Sequence, residues 1–134
     1  MSYLETPTRY TTVNNQKIAC RELGEGNSDI PLVMLVHLAA TMDDWDPKLL
    51  DLLAERQHII VMDLPGVGSS EGSVATTIPG MAHQAAEIIQ ALGYQKVNLL
   101  GLSMGGMIAQ EVVRAYPALV NRLVLVGTGP RGGA

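Results

Sequence analysis

The run VNLLGLSMGGM, Val97 to Met107, decides the reading of this chain. An apolar segment, Val97 to Leu102, breaks into Gly-Leu-Ser-Met-Gly-Gly, and a helical pattern then continues to Tyr116, where Pro117 ends it. The pattern places Ser103 on a sharp turn from strand to helix. Such a turn strains the serine backbone, and the positions two before and two after it must be small, or their β-carbons would collide. Gly101 and Gly105 fill those positions, and Gly106 lets the helix lie close to the sheet. The turn lifts the Ser103 hydroxyl above the sheet. It also aims the N–H of Met104, at a helix N-terminus, towards an oxyanion forming beside it. A serine nucleophile needs a base. The three histidines, His37, His58 and His83, all precede Ser103, and none follows it.

Outward from this turn the chain alternates strands and helices. Thr8 to Val13 and Lys17 to Arg21 read as an antiparallel hairpin, with Asn14-Asn15 as the turn. Pro31 to Val36 and His58 to Met62 are apolar on both faces, as buried parallel strands are, and Leu123 to Val126 reads the same way. Asp46-Pro47 is an N-cap followed by a first-turn proline, and Leu49, Leu50, Leu52 and Leu53 form the apolar stripe of the helix that follows. A second helix spans about 78–92, with Met81, Ala85, Ile88 and Leu92 on one face, and Gly93 stops it. The order of elements predicts an α/β fold: a mostly parallel sheet with helices on both faces, begun by an antiparallel hairpin. Residues 1–134 read as a single domain.

Composition narrows the function. At 47% hydrophobic residues and a mean hydropathy of +0.18, the chain can bury a core, with seven Met and aliphatic residues filling it in the absence of Phe. The net charge is −4 with no basic cluster, so a nucleic-acid partner is not expected. Cys20 is alone, which excludes an internal disulfide and a thiolate metal cluster. The histidines lack metal-ligand spacing, and no metal or cofactor is expected. Gly66-Val67-Gly68 lacks the third glycine and the βαβ context of a dinucleotide fingerprint. The longest uncharged apolar stretch, Ile30 to Met42, is too short to span a bilayer, and no signal-peptide pattern opens the chain, so a cytoplasmic location and no membrane partner are expected.

Gly101 to Gly105, taken with LVMLVHLAATMDDWDP (32–47), DLPGVGSS (63–70) and LVLVGTGP (123–130), resembles the α/β-hydrolase fold family, in its serine-nucleophile branch. The resemblance covers nearly the whole chain. It implies the N-terminal part of that fold, strands one to six, with Ser103 as nucleophile. The first long stretch would be the oxyanion loop. Many members read His-Gly followed by a bulky residue there. Counting back from Trp45 puts Val36 at the His place, His37 at the Gly place and Leu38 at the bulky one. The resemblance makes the N–H groups of Leu38 and Met104 the oxyanion donors, with Ala39 replacing Leu38 if the register shifts by one. A histidine at position 37 would orient the loop by hydrogen bonding. His58 would be a partly solvated strand cap, and His83 one half of an exposed pair with Glu87. Asp63 would hold its own loop, and Asp43 and Asp44 would precede or cap the helix at Asp46.

In the family the acid and the histidine follow later strands, so the resemblance implies a truncated domain with half a site. It points to an ester or other small acyl substrate. Serine in place of aspartate or cysteine argues against the epoxide hydrolase, haloalkane dehalogenase and dienelactone hydrolase chemistries. A non-catalytic binding or interaction module retaining the fold is the alternative. Truncation would also leave 123–126 as an exposed apolar edge, through which two copies could pair as a homodimer.

Overall fold

The computed structural model describes residues 2–35 and 41–126. Six strands form one sheet in the order β1-β2-β4-β3-β5-β6. They are β1 (Arg9–Val13), β2 (Gln16–Leu23), β3 (Leu32–Leu35), β4 (Ile59–Met62), β5 (Val97–Leu102) and β6 (Val120–Val126). β1 and β2 form the expected antiparallel hairpin, and Asn14 and Asn15 take φ of 51° and 65° at its turn. Asparagine tolerates this left-handed conformation better than most residues. β2 lies antiparallel to β4, and β4, β3, β5 and β6 are mutually parallel.

Three helices cross between the parallel strands: α1 (Pro47–Ala54), α2 (Ile78–Ala91) and α3 (Met104–Ala115). The Asp46 side chain caps α1 by accepting from the Lys48 N–H at 2.9 Å, with Pro47 in the first turn. Thr77 caps α2 by accepting from the Gly80 N–H at 3.0 Å. α2 and α3 cover one face of the sheet, where Met81, Ala85, Ile88, Ile108 and Val112 pack on Val33, Ile60 and Leu99. α1 covers the other, where Leu50, Met42 and Trp45 pack on Met34, Ile59 and Val61. Opposite faces of one strand thus feed two separate cores, as the period of two requires.

Four sequence expectations are corrected. β6 begins earlier, at Val120, and is not buried: Val124, Leu125 and Val126 are 47%, 43% and 44% exposed. β5 is buried on one face only, with Asn98, Leu100 and Leu102 half-buried on the other. An apolar run implies cover on both faces, but α1 lies over β2, β4 and β3 and leaves this end of the sheet open. The α1 stripe is narrower for the same reason, with Leu50 buried but Leu49 and Leu52 exposed. His58 is not a solvated cap. It is buried, with Nε2 2.8 Å from Glu22 Oε1, an oxygen that also accepts from the Tyr94 hydroxyl at 3.0 Å.

Candidate active site

The strand order reverses between β3 and β5. In open α/β sheets such a switch point makes a crevice at the carboxyl ends of the strands. Two strands end there. Leu35, the last residue of β3, is registered against Gly101. One residue beyond Leu102, at the end of β5, stands Ser103.

Ser103 is exposed and adopts φ 57°, ψ −122°, a conformation an L-residue visits only under constraint. Such an outlier costs of order 1–3 kcal/mol and persists where the surroundings over-determine it. Here the Ser103 N–H donates to the Val126 carbonyl at 3.0 Å, continuing the β5–β6 ladder, while its own carbonyl accepts from the Gly106 N–H at 3.0 Å as α3 begins. The backbone is therefore strand on one side and helix on the other, and the serine absorbs the change of direction. Its side chain makes no capping hydrogen bond, so the hydroxyl is not used to hold the helix.

The glycines make the turn fit. A β-carbon on Gly101 would stand 2.4 Å from Gly106 Cα and 2.6 Å from the Gly105 carbonyl oxygen. The contact is backbone on backbone, with no flexible side chain to yield. Met104 opens α3, and its N–H is among those a helix leaves without an intrahelical acceptor. Ser103, Met104, Gly101, Gly105 and Gly106 are thus brought together at one strand–helix junction. His37 and Leu38 lie outside the described residues.

Neither described histidine approaches Ser103. His58 precedes β4 and lies at the opposite, amino-terminal edge of the parallel strands. His83 is exposed on α2, 3.3 Å from Glu87 as expected, and its other ring nitrogen meets the Tyr116 hydroxyl, which sequence reading missed. Tyr116 follows the last turn of α3, so it stands roughly 18 Å from Ser103 along that helix.

Asp63 does more than its sequence reading assigned. It is 2% exposed, and its Oδ2 accepts from the Ser69 N–H at 3.0 Å within its own loop, as expected. Its Oδ1 reaches across to the Met42 N–H at 2.8 Å. The loop after β4 is thereby fastened to the segment that leads into α1. Gly68, at φ +54°, allows the approach, since a β-carbon there would fall 2.3 Å from Asp63 Oδ2. Asp44 accepts from the Thr41 N–H at 2.6 Å, and Asp43 pairs with Arg21 at 2.8 Å, so both acids hold the entry to α1.

Residues 31–131 match the alpha/beta hydrolase fold family, and the chain belongs to it. Over 98% of its length it superposes on an alpha/beta hydrolase fold protein from Chitinophaga pinensis, with a TM-score of 0.94 and 36% identity, covering 48% of that chain. It is 33% identical over 99 residues to a poly(3-hydroxyalkanoate) depolymerase of Ectopseudomonas oleovorans, a match covering 73% of this chain and 35% of the relative. It is 32% identical over 114 residues to the (E)-2-((N-methylformamido)methylene)succinate hydrolase of Acinetobacter baylyi, covering 84% of this chain and 42% of the relative. The chain spans less than half the length of each of these proteins. Among the described residues no helix is long and apolar enough to cross a membrane.

Proposed function

We propose that this chain carries the nucleophile half of a serine hydrolase acting on an ester or another small acyl compound. The observation that carries the reading is Ser103 itself: an exposed serine at φ 57°, ψ −122°, on the first residue beyond β5 and immediately before the N-terminus of α3. The strained turn carries the chain from strand to helix and leaves the Ser103 hydroxyl exposed, with no capping role. The relatives named as a poly(3-hydroxyalkanoate) depolymerase and as an (E)-2-((N-methylformamido)methylene)succinate hydrolase support hydrolysis as the reaction class.

In the proposed reaction Ser103 Oγ attacks the acyl carbon while a base takes its proton. The carbonyl oxygen becomes an oxyanion facing the Met104 N–H and the N–H of Leu38. Donors of this kind contribute about 3–4 kcal/mol each to the transition state. Collapse expels the alcohol, which takes up the proton, and leaves an acyl-serine. Water, deprotonated by the same base, then attacks the acyl carbon, and the acid leaves as the acyl–Oγ bond breaks and Ser103 Oγ takes the proton back. Histidine and acid are supplied by further chain in a longer protein or by a complementing chain. Without them the serine stays protonated and weak, and only the slow rate that oxyanion stabilisation and binding sustain is expected. Ser103→Ala in the longer protein is expected to lower ester hydrolysis by at least about a thousandfold while leaving the thermal midpoint within a few degrees. Hydrolysis at the unsubstituted rate would refute the assignment.

The same reading has a consequence for partners. The apolar edge at 123–126 pairs with a second copy of this chain when no further strand covers it.

A further inference from the structure

We propose that the cleft between the C-terminal ends of α2 and α3 binds a small organic ammonium ion that carries an apolar substituent. The inference stands apart from the assignment of Ser103. α2 and α3 each run from the carboxyl edge of the parallel strands back to the amino edge. Both therefore bring their C-termini to the edge opposite Ser103. Between these ends lies a cleft of about 610 Å³, within the size range of small-molecule sites. Gln90, Tyr94, Gln95, Tyr116, Pro117 and Leu119 are among the residues that line it.

The electrostatics of the cleft have one sign. A helix ends in carbonyls without intrahelical partners and carries about half a negative charge there. Two such ends meet at the cleft, at Gly93 and Ala115. α2 has no basic residue in its last turn, and Arg114, the basic residue in the last turn of α3, is tied to Glu111, to which its Nε donates at 2.7 Å. Among the described residues no charged side chain lines the cleft, and Lys96, which follows Gln95, is not part of its wall.

The two tyrosines are held by their hydroxyls. Tyr94 donates to Glu22 Oε1 at 3.0 Å, and its ring meets the His58 ring edge-on at 5.7 Å. The Tyr116 hydroxyl is bonded to Nδ1 of His83, whose Nε2 lies 3.3 Å from Glu87. A carboxylate behind the Tyr94 hydroxyl polarises the phenol and enriches its ring in electrons, which strengthens its attraction for a cation. Burial, with Glu22 adding to it, pushes that phenol up to about 12, so it keeps its proton. An ammonium group can engage aromatic rings, helix-end carbonyls and the Gln90 and Gln95 carboxamides together, while its apolar part covers Pro117 and Leu119. The wall offers a metal ion no carboxylate, and among the described residues no group of three or more His, Cys, Asp or Glu could hold one. An anion would face two negative helix ends.

The test uses the whole chain at low micromolar concentration. Saturation-transfer NMR reads the methyl protons of benzyltrimethylammonium, with benzylsulfonate as the anionic counterpart. A saturable response with a Kd on the order of 1 mM is expected for the cation, and none for the sulfonate. Gln95 is exposed, so its substitution spares the fold. Gln95→Lys is expected to weaken cation binding about tenfold and Gln95→Glu to tighten it severalfold, a reversal of sign that apolar adsorption would not show. Tyr116→Leu is expected to weaken it about tenfold as well. Should Tyr116→Leu not fold, the two Gln95 variants decide. No saturable response to the cation, equal binding of the sulfonate, or an unchanged Kd in Gln95→Lys overturns the proposal.

Discussion

At the scale of single residues, Gly101 illustrates how a motif becomes a steric demand. Gly101→Ala would drive a β-carbon to 2.4 Å from Gly106 Cα, and neither backbone can yield without moving β5 or α3. The substitution is expected to destabilise the chain by about 1–3 kcal/mol or more, read as a lower urea midpoint. An unchanged midpoint would mean the turn is looser than its geometry. Burial, with Glu22 adding to it, pushes the Cys20 thiol up to about 11, and burial with Glu22 likewise pushes Tyr94 up to about 12. Both groups are neutral when protonated, so the folded chain keeps protons that the unfolded chain releases first. The stability they contribute is complete below the unfolded thiol value near pH 8.5 and is lost as pH rises towards 11 and 12. The urea midpoint is therefore expected to fall between about pH 9 and 12, less steeply in Cys20→Ala. A midpoint rising over that window would contradict this.

At the scale of elements, the sequence was informative wherever a local rule operates. The Asn14-Asn15 turn, the Asp46 cap with Pro47, and the strand–turn–helix at Ser103 each follow from neighbours within four residues. What one strand meets across space was not encoded in the same way. Val124, Leu125 and Val126 read as buried because an apolar run ordinarily has cover on both faces, yet they are the exposed edge. Registration sharpens the point: Val124 and Val126 lie beside Leu100 and Leu102 on the side of the sheet that carries α1, at the end α1 does not cover. Such an edge is a pairing surface unless charge or proline blunts it. Sedimentation velocity is expected to show the chain associating as its concentration rises through the micromolar range. Val124→Lys, which places a charge on that face, is expected to shift the chain towards monomer. A single monomeric species across that range in the parent would contradict it.

At the scale of the whole molecule, the sheet order β1-β2-β4-β3-β5-β6 sets Ser103 beside the end of β3, at the reversal of strand order. The sequence disclosed the nucleophile position because its requirements are local. It did not disclose the brace on Met42, whose partners Tyr3 and Asp63 are remote in sequence and carry no periodic signal. Nor did it disclose that His58 is paired with Glu22 in the interior, because a histidine before an apolar strand reads equally as a cap. The molecule is thus asymmetric in function as in cover: the carboxyl edge of its sheet presents an exposed serine at a helix N-terminus, while its described histidines are engaged elsewhere. The most direct test of that account is prolonged exposure of the chain to a fluorophosphonate, with the adduct located by tandem mass spectrometry. One adduct per chain, slow to form, carried by Ser103 and absent from Ser103→Ala, is the predicted result. No adduct, or one carried by another residue such as Ser69 or Ser70, would contradict it.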